Sequence, residues 1–158
     1  MSGKPASVGL REKLLASKPS DFGLAATPEL PHVWGVMMEF RIGKTDVSLV
    51  TAAEGSTSLY FSTGGGVIGG GGSETVRAAS RKLLLVVEQL LLAFVARDAP
   101  IAVLDGAVSF AVLTHEGLRI ARDTEERVRD KKSPLWPAYY VGQELLTALR
   151  LMAEKAAP

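Results

Sequence analysis

The sequence predicts an α+β domain: one antiparallel sheet of about five to six strands, two main helices and a short N-terminal helix. Three observations carry this. Runs of β-forming residues recur about every ten positions with short turns between them, which is the pattern of a β-meander. These runs fall into two groups, one on each side of a long apolar segment opened by a helix cap. The chain of 158 residues, 47% hydrophobic and 22% charged, is of single-domain size and apolar enough to offset the entropy of ordering.

Residues 1–31 are the least core-like part and read as an N-terminal arm. Val8–Ala16 has Leu10, Leu14 and Leu15 on one side of a helical period, so a short amphipathic helix is expected there. Lys18–Pro31 carries three prolines and no sustained period, which suits an irregular segment lying on the surface. Residues 32–158 form the domain proper.

Val33–Ile42 is the first strand, rich in β-branched and aromatic residues, and Gly43-Lys44-Thr45 is its turn. Asp46–Ala53 is the second, Glu54-Gly55-Ser56-Thr57 the next break, and Ser58–Ser62 a short third strand. A glycine-rich stretch, Gly64–Gly72, follows. Ser73 is a good N-cap and Glu74 suits the positive end of a helix, which is expected from Glu74 to about Arg97, before Pro100.

Ile101–Leu104, Asp105-Gly106 and Ala107–Leu113 read as a hairpin with a type I′ turn. His115-Glu116-Gly117 makes another turn, and Leu118–Ala121 continues the meander. Asp123–Lys132 mixes charges of both signs and reads as a solvated loop. Ser133 and Pro134 open the last helix, expected to about Ala153. As a topology, this order resembles that of profilin-like and roadblock-like modules. No residue motif of either family is present, and a likeness of fold does not carry a function.

The composition narrows the function. With 18 Lys and Arg against 17 Asp and Glu, no broad basic field is available to draw nucleic acid or a membrane surface. No cysteine is present, so disulfides, thiolate nucleophiles and zinc–cysteine sites are excluded, and a cytoplasmic location is expected. No apolar run has the length and continuity of a membrane span. The two histidines, His32 and His115, lack metal-ligand spacing, and no serine sits in a G-x-S-x-G elbow. The carboxylate pairs Glu39 with Glu54 and Glu116 with Asp123 can meet across strands only as pairs do in any sheet. No catalytic residue, metal site or cofactor is therefore assigned.

Two features suggest binding. Backbone amides at Gly69, Gly70, Gly71 and Gly72, leading into Ser73 and a helix N-terminus, form a candidate anion site to which Thr63 can add a hydroxyl. A Walker loop needs Lys and Ser or Thr after its last glycine, whereas Ser73-Glu74 stands here. Conformational permissiveness at a strand-to-helix crossing is a sufficient reason for the glycines. The second feature is apolar width. The Glu74–Arg97 segment is apolar on more than one side, which suits a helix central to the fold or one half of an oligomer interface. Leu84, Val87 and Leu91 are its candidate contact residues. Trp34, Tyr60 and Phe61 make one aromatic cluster and Trp136, Tyr139 and Tyr140 a second, either packed in the core or serving as partner contacts. The expected function is a non-catalytic protein-interaction or self-assembling module, with a protein partner or a second copy, associating through the broad apolar face of the Glu74–Arg97 helix or an open sheet edge. The alternative is an anion-binding protein or enzyme that uses Gly64–Gly72.

Overall fold

The computed structural model describes residues 14–156. The chain is an α+β fold with one antiparallel sheet. Its strands are β1 (Val33–Ile42), β2 (Thr45–Ala52), β3 (Thr57–Phe61), β4 (Gly66–Val67), β5 (Val95–Ala96), β6 (Ala107–Thr114) and β7 (Gly117–Thr124). Their order across the sheet is β4-β3-β2-β1-β6-β7-β5. The seven strands roughly match the expected five to six, and the two that were not expected are the outermost ones, each of two residues. Helix α1 spans Glu74–Gln89, α2 Glu125–Arg129 and α3 Trp136–Ala156. Of the helix expected over Val8–Ala16, Leu14 and Leu15 are helical, and its earlier residues lie outside the described ones.

The long helices and the sheet share one core. Val36, Met38 and Phe40 of β1, Val47 and Leu49 of β2, and Val108, Phe110 and Val112 of β6 face one side, at the alternate positions a pleated strand provides. Val76, Leu83 and Val87 of α1 pack on them with Leu145 and Leu149 of α3. Gly142 lets α3 settle closely: a Cβ there would stand 2.6 Å from the Met38 sulfur.

The opposite sheet face is covered as well, which is why eight consecutive residues of β1 are buried. A register shift between Val33 and Gly35 leaves Trp34 as the extra residue of a β-bulge. Trp34 stacks at 5.5 Å on Phe22 of the arm, and its indole N–H donates to the Thr114 carbonyl at 3.2 Å. Leu14 and Leu15 pack beside Met37, Val50 and Ala111 on this face, so the arm lies on its own chain. Trp34 and Tyr60 therefore do not cluster: the first sits at the start of β1, and the second pairs in register with Ser48 far along the sheet.

Four segments depart from expectation. Helix α1 stops at Gln89 rather than near Arg97, because Phe94 turns into the core edge-on to Phe110 and Val95–Ala96 pairs with β7. Ile101–Leu104 is not a strand. The turn at Asp105-Gly106 is present, but β6 already has β1 and β7 on its two sides, so no strand place remains beside it. Asp123–Lys132 is not a loop throughout, since Thr124 caps α2 and Val128 buries fully. The last helix starts at Trp136 and runs to Ala156, past the expected end.

Candidate functional site

The glycine stretch begins at the turn between β3 and β4. Gly69 then takes the left-handed conformation at φ 81°, Gly70–Gly72 make one 3-10 turn, and Ser73 caps α1 by accepting the Val76 N–H at 3.3 Å. Gly70 is buried where two backbones approach: a Cβ on it would stand 2.9 Å from both the Thr57 carbonyl oxygen and a Leu149 methyl. Much of the loop's polar capacity is used internally. Gly72 N–H donates to Gly69 at 3.2 Å, Ser73 N–H to Gly70 at 3.1 Å, and Arg77 donates to the Gly71 carbonyl at 2.6 Å. Gly69, Gly70, Gly71, Gly72 and Ser73 stay together at the Thr57 end of β3, whereas Thr63 lies in the turn beyond its other end.

The wide apolar face of α1 is occupied within the chain. Leu84 is 2% exposed and Val87 0%, so both are core residues, and Leu91 is half-buried in a 3-10 turn after the helix. The apolar groups left outside come later. Leu92 is 100% exposed and Val95 60%. Val95 lies in β5 and Leu92 in the 3-10 turn just before it; β5 pairs only with Arg119 and Ile120, so Ala121–Thr124 of β7 has no strand on that side.

The third feature is the corner between α2 and α3. Lys131 follows α2 at φ 59°, the only non-glycine residue with positive φ among the described ones. Its N–H donates to Val128 at 3.2 Å and that of Lys132 to Arg127 at 2.9 Å, which closes the helix in the way a C-terminal glycine usually does. A side chain in this conformation costs about 1 kcal/mol. The Lys131 ammonium sits 5.0 Å from the Trp136 ring centre and 5.7 Å from that of Tyr140. Those rings are 5.8 Å apart at 80°, forming two walls of a corner. Tyr140 is 40% exposed and donates its hydroxyl to the Arg129 carbonyl at 3.1 Å. Tyr139 packs edge-on to Tyr140 but is buried, and burial together with the Glu125 carboxylate pushes its hydroxyl above the usual tyrosine value. Thus the Trp136, Tyr139 and Tyr140 cluster is real, and Lys131 is the member that sequence reading missed.

The carboxylate pairs do not assemble. Glu39 is buried on β1, accepting from Ser48 at 2.6 Å, while Glu54 lies in the β2–β3 turn bonded to Ser56. Glu116 and Asp123 stand at opposite ends of β7, the latter paired with Arg127 at 3.1 Å. His32 instead meets Glu88 near the end of α1. Among the described residues no three His, Asp or Glu side chains are placed to hold a metal ion. No helix among them is long and apolar enough to cross a membrane. Two grooves, of about 500 and 250 Å³, flank the arm on the second sheet face. The first is lined by Lys18, Trp34, Leu113 and His115 and the second by Phe22, Val50 and Tyr60. No family model matches the chain, and no curated protein or solved structure is significantly similar to it.

Proposed function

We propose that this chain is a non-catalytic protein-interaction module, cytoplasmic in setting, that self-associates at the β5 edge of its sheet. The supporting observation is the pair of exposed apolar side chains Leu92 and Val95, in and just before the two-residue edge strand that leaves Ala121–Thr124 of β7 without a strand partner on that side. Edge strands offer backbone donors and acceptors to another chain, and apolar side chains next to such an edge gain most by being covered. A second copy supplies both, and two-fold pairing places the same edge on each side. Light scattering coupled to size exclusion tests this at tens of micromolar protein. A dimer is expected, and Leu92→Glu with Val95→Glu should return it to monomer with little change in melting temperature. A wild-type protein that stays monomeric at that concentration rejects the reading.

Anion binding at Gly69–Ser73 is the second reading. It has one observation in its favour: Gly72 is exposed, and no atom stands within 4 Å of the place its Cβ would take. Thermal unfolding against nucleotides, sugar phosphates and carboxylates decides it. A ligand at about a hundred times its Kd adds about 2.7 kcal/mol to the native state. A flat panel leaves the glycines as architecture.

A further inference from the structure

The corner at Trp136 and Tyr140 holds the ammonium of Lys131, the residue whose backbone closes α2. Lys131 reaches it from a backbone conformation that lysine rarely adopts, and such conformations persist where the surroundings impose them. Its ammonium lies against two aromatic faces set nearly at right angles. No carboxylate among the described residues forms a salt bridge with it. The site therefore offers ring faces to a positive charge and no anion to pair with its N–H groups.

This combination discriminates between cations. A plain ammonium gives up water around three N–H donors and meets rings in return. A methylated ammonium keeps its charge and presents methyl groups, which suit the ring faces and require no acceptor. The occupant already present is a lysine side chain, so the corner admits the width and approach of such a chain. The resident is also exposed to solvent, so a competing side chain can approach the same ring faces. We infer that Trp136 and Tyr140 form a binding site for a methylated lysine side chain of a partner protein, with Lys131 as the resident occupant it displaces.

Titration of the full chain with N-acetyl trimethyl-lysine amide, followed through the ring signals of Trp136 and Tyr140 by NMR, tests this. Saturable binding in the millimolar range is expected, with the unmodified lysine amide weaker. Lys131→Gly removes the competitor while tolerating the same backbone angle, and should tighten binding about two- to fivefold, the equivalent of one exposed cation–π contact. Tyr140→Phe keeps the ring and should keep binding, whereas Tyr140→Ala should abolish it. If Tyr140→Ala fails to fold, the Lys131→Gly result still decides. Choline serves as the head-group control and should bind no better than the lysine derivative. The proposal is overturned if Lys131→Gly shows no saturable shift, if unmodified lysine binds equally well, or if choline alone binds. Self-association at the β5 edge is read separately by mass, so either proposal can fail without the other.

Discussion

Glu88 ties the entrance of the central strand to the end of α1 through His32: its carboxylate accepts the His32 backbone N–H at 2.7 Å and meets the His32 ring nitrogen at 3.1 Å. The same oxygen that accepts from His32 also accepts the Val33 N–H at 3.0 Å. Burial pushes the Glu88 carboxyl up, but these backbone bonds and the His32 ring more than offset it, leaving the group below its ordinary value.

That depression fixes the sign of a pH effect. A carboxylate with a lowered folded-state pKa stabilises the fold above its unfolded value, about 4.3, and the effect fades as pH falls through the lower folded value. Glu88→Gln should therefore cost about 1–2 kcal/mol at neutral pH, with the gap from wild type shrinking toward strong acid. Urea unfolding at several pH values measures it. A gap that stays constant would show that the charge of Glu88 plays no part.

The glycine stretch should divide sharply under alanine substitution. At Gly70 the new methyl meets the Thr57 carbonyl, which cannot swing aside, so Gly70→Ala should destabilise by about 1–3 kcal/mol. At Gly72 the methyl enters open space, and Gly72→Ala should lie within about 0.5 kcal/mol of wild type. Calorimetry on both variants checks this, and equal losses would contradict it.

Two arginines fasten the segment between β5 and β6 over the second sheet face. Arg122 donates to Ser109 at 2.9 Å and to the Ala102 carbonyl, and Arg41 donates to the Val103 carbonyl at 3.2 Å. Arg122→Ala should raise amide exchange across residues 98–106 by about five- to tenfold, while the β1–β6 ladder keeps its protection. Unchanged exchange there would mean that the segment is held by its apolar contacts instead.

Much of the sheet was legible because β1, β2, β3, β6 and β7 carry their own β-forming runs and polar turns. What escaped depended on distant partners. Residues 89–97 contain no glycine or proline to stop a helix, and only Phe110 and β7 draw Phe94 and Val95 away from it. The strand expected at Ile101–Leu104 failed because its place was already taken. Helix α2 did leave local signs: Thr124 as cap, Glu125 and Glu126 in the first turn, Arg127 and Arg129 in the last. The mixed charges that read as a solvated run are ion pairs one turn apart, Asp123 with Arg127 and Glu125 with Arg129. At the site, the aromatic cluster was readable from spacing on one helix, since Trp136 and Tyr140 are four residues apart. Lys131 was not, because no residue type there announces a left-handed turn. The apolar width of α1 left two readings open, and the structure shows the helix central to the fold, because α3, which lies far along the chain, covers much of it.

The central ladder has a consequence for how the chain acquires its structure. β1, β2 and β3 join by short turns, as do β6 and β7, so each group can zip from neighbouring residues. The seam between them, Val33 with Thr114 through Phe40 with Val108, closes only after the whole intervening segment has been looped out. Closing that seam should set the refolding time, because non-local pairing is the slow part of sheet formation. Val112→Ala on the seam should then slow refolding, whereas Val128→Ala in α2 should mainly hasten unfolding. A stopped-flow comparison of the two would show whether the halves meet early or late.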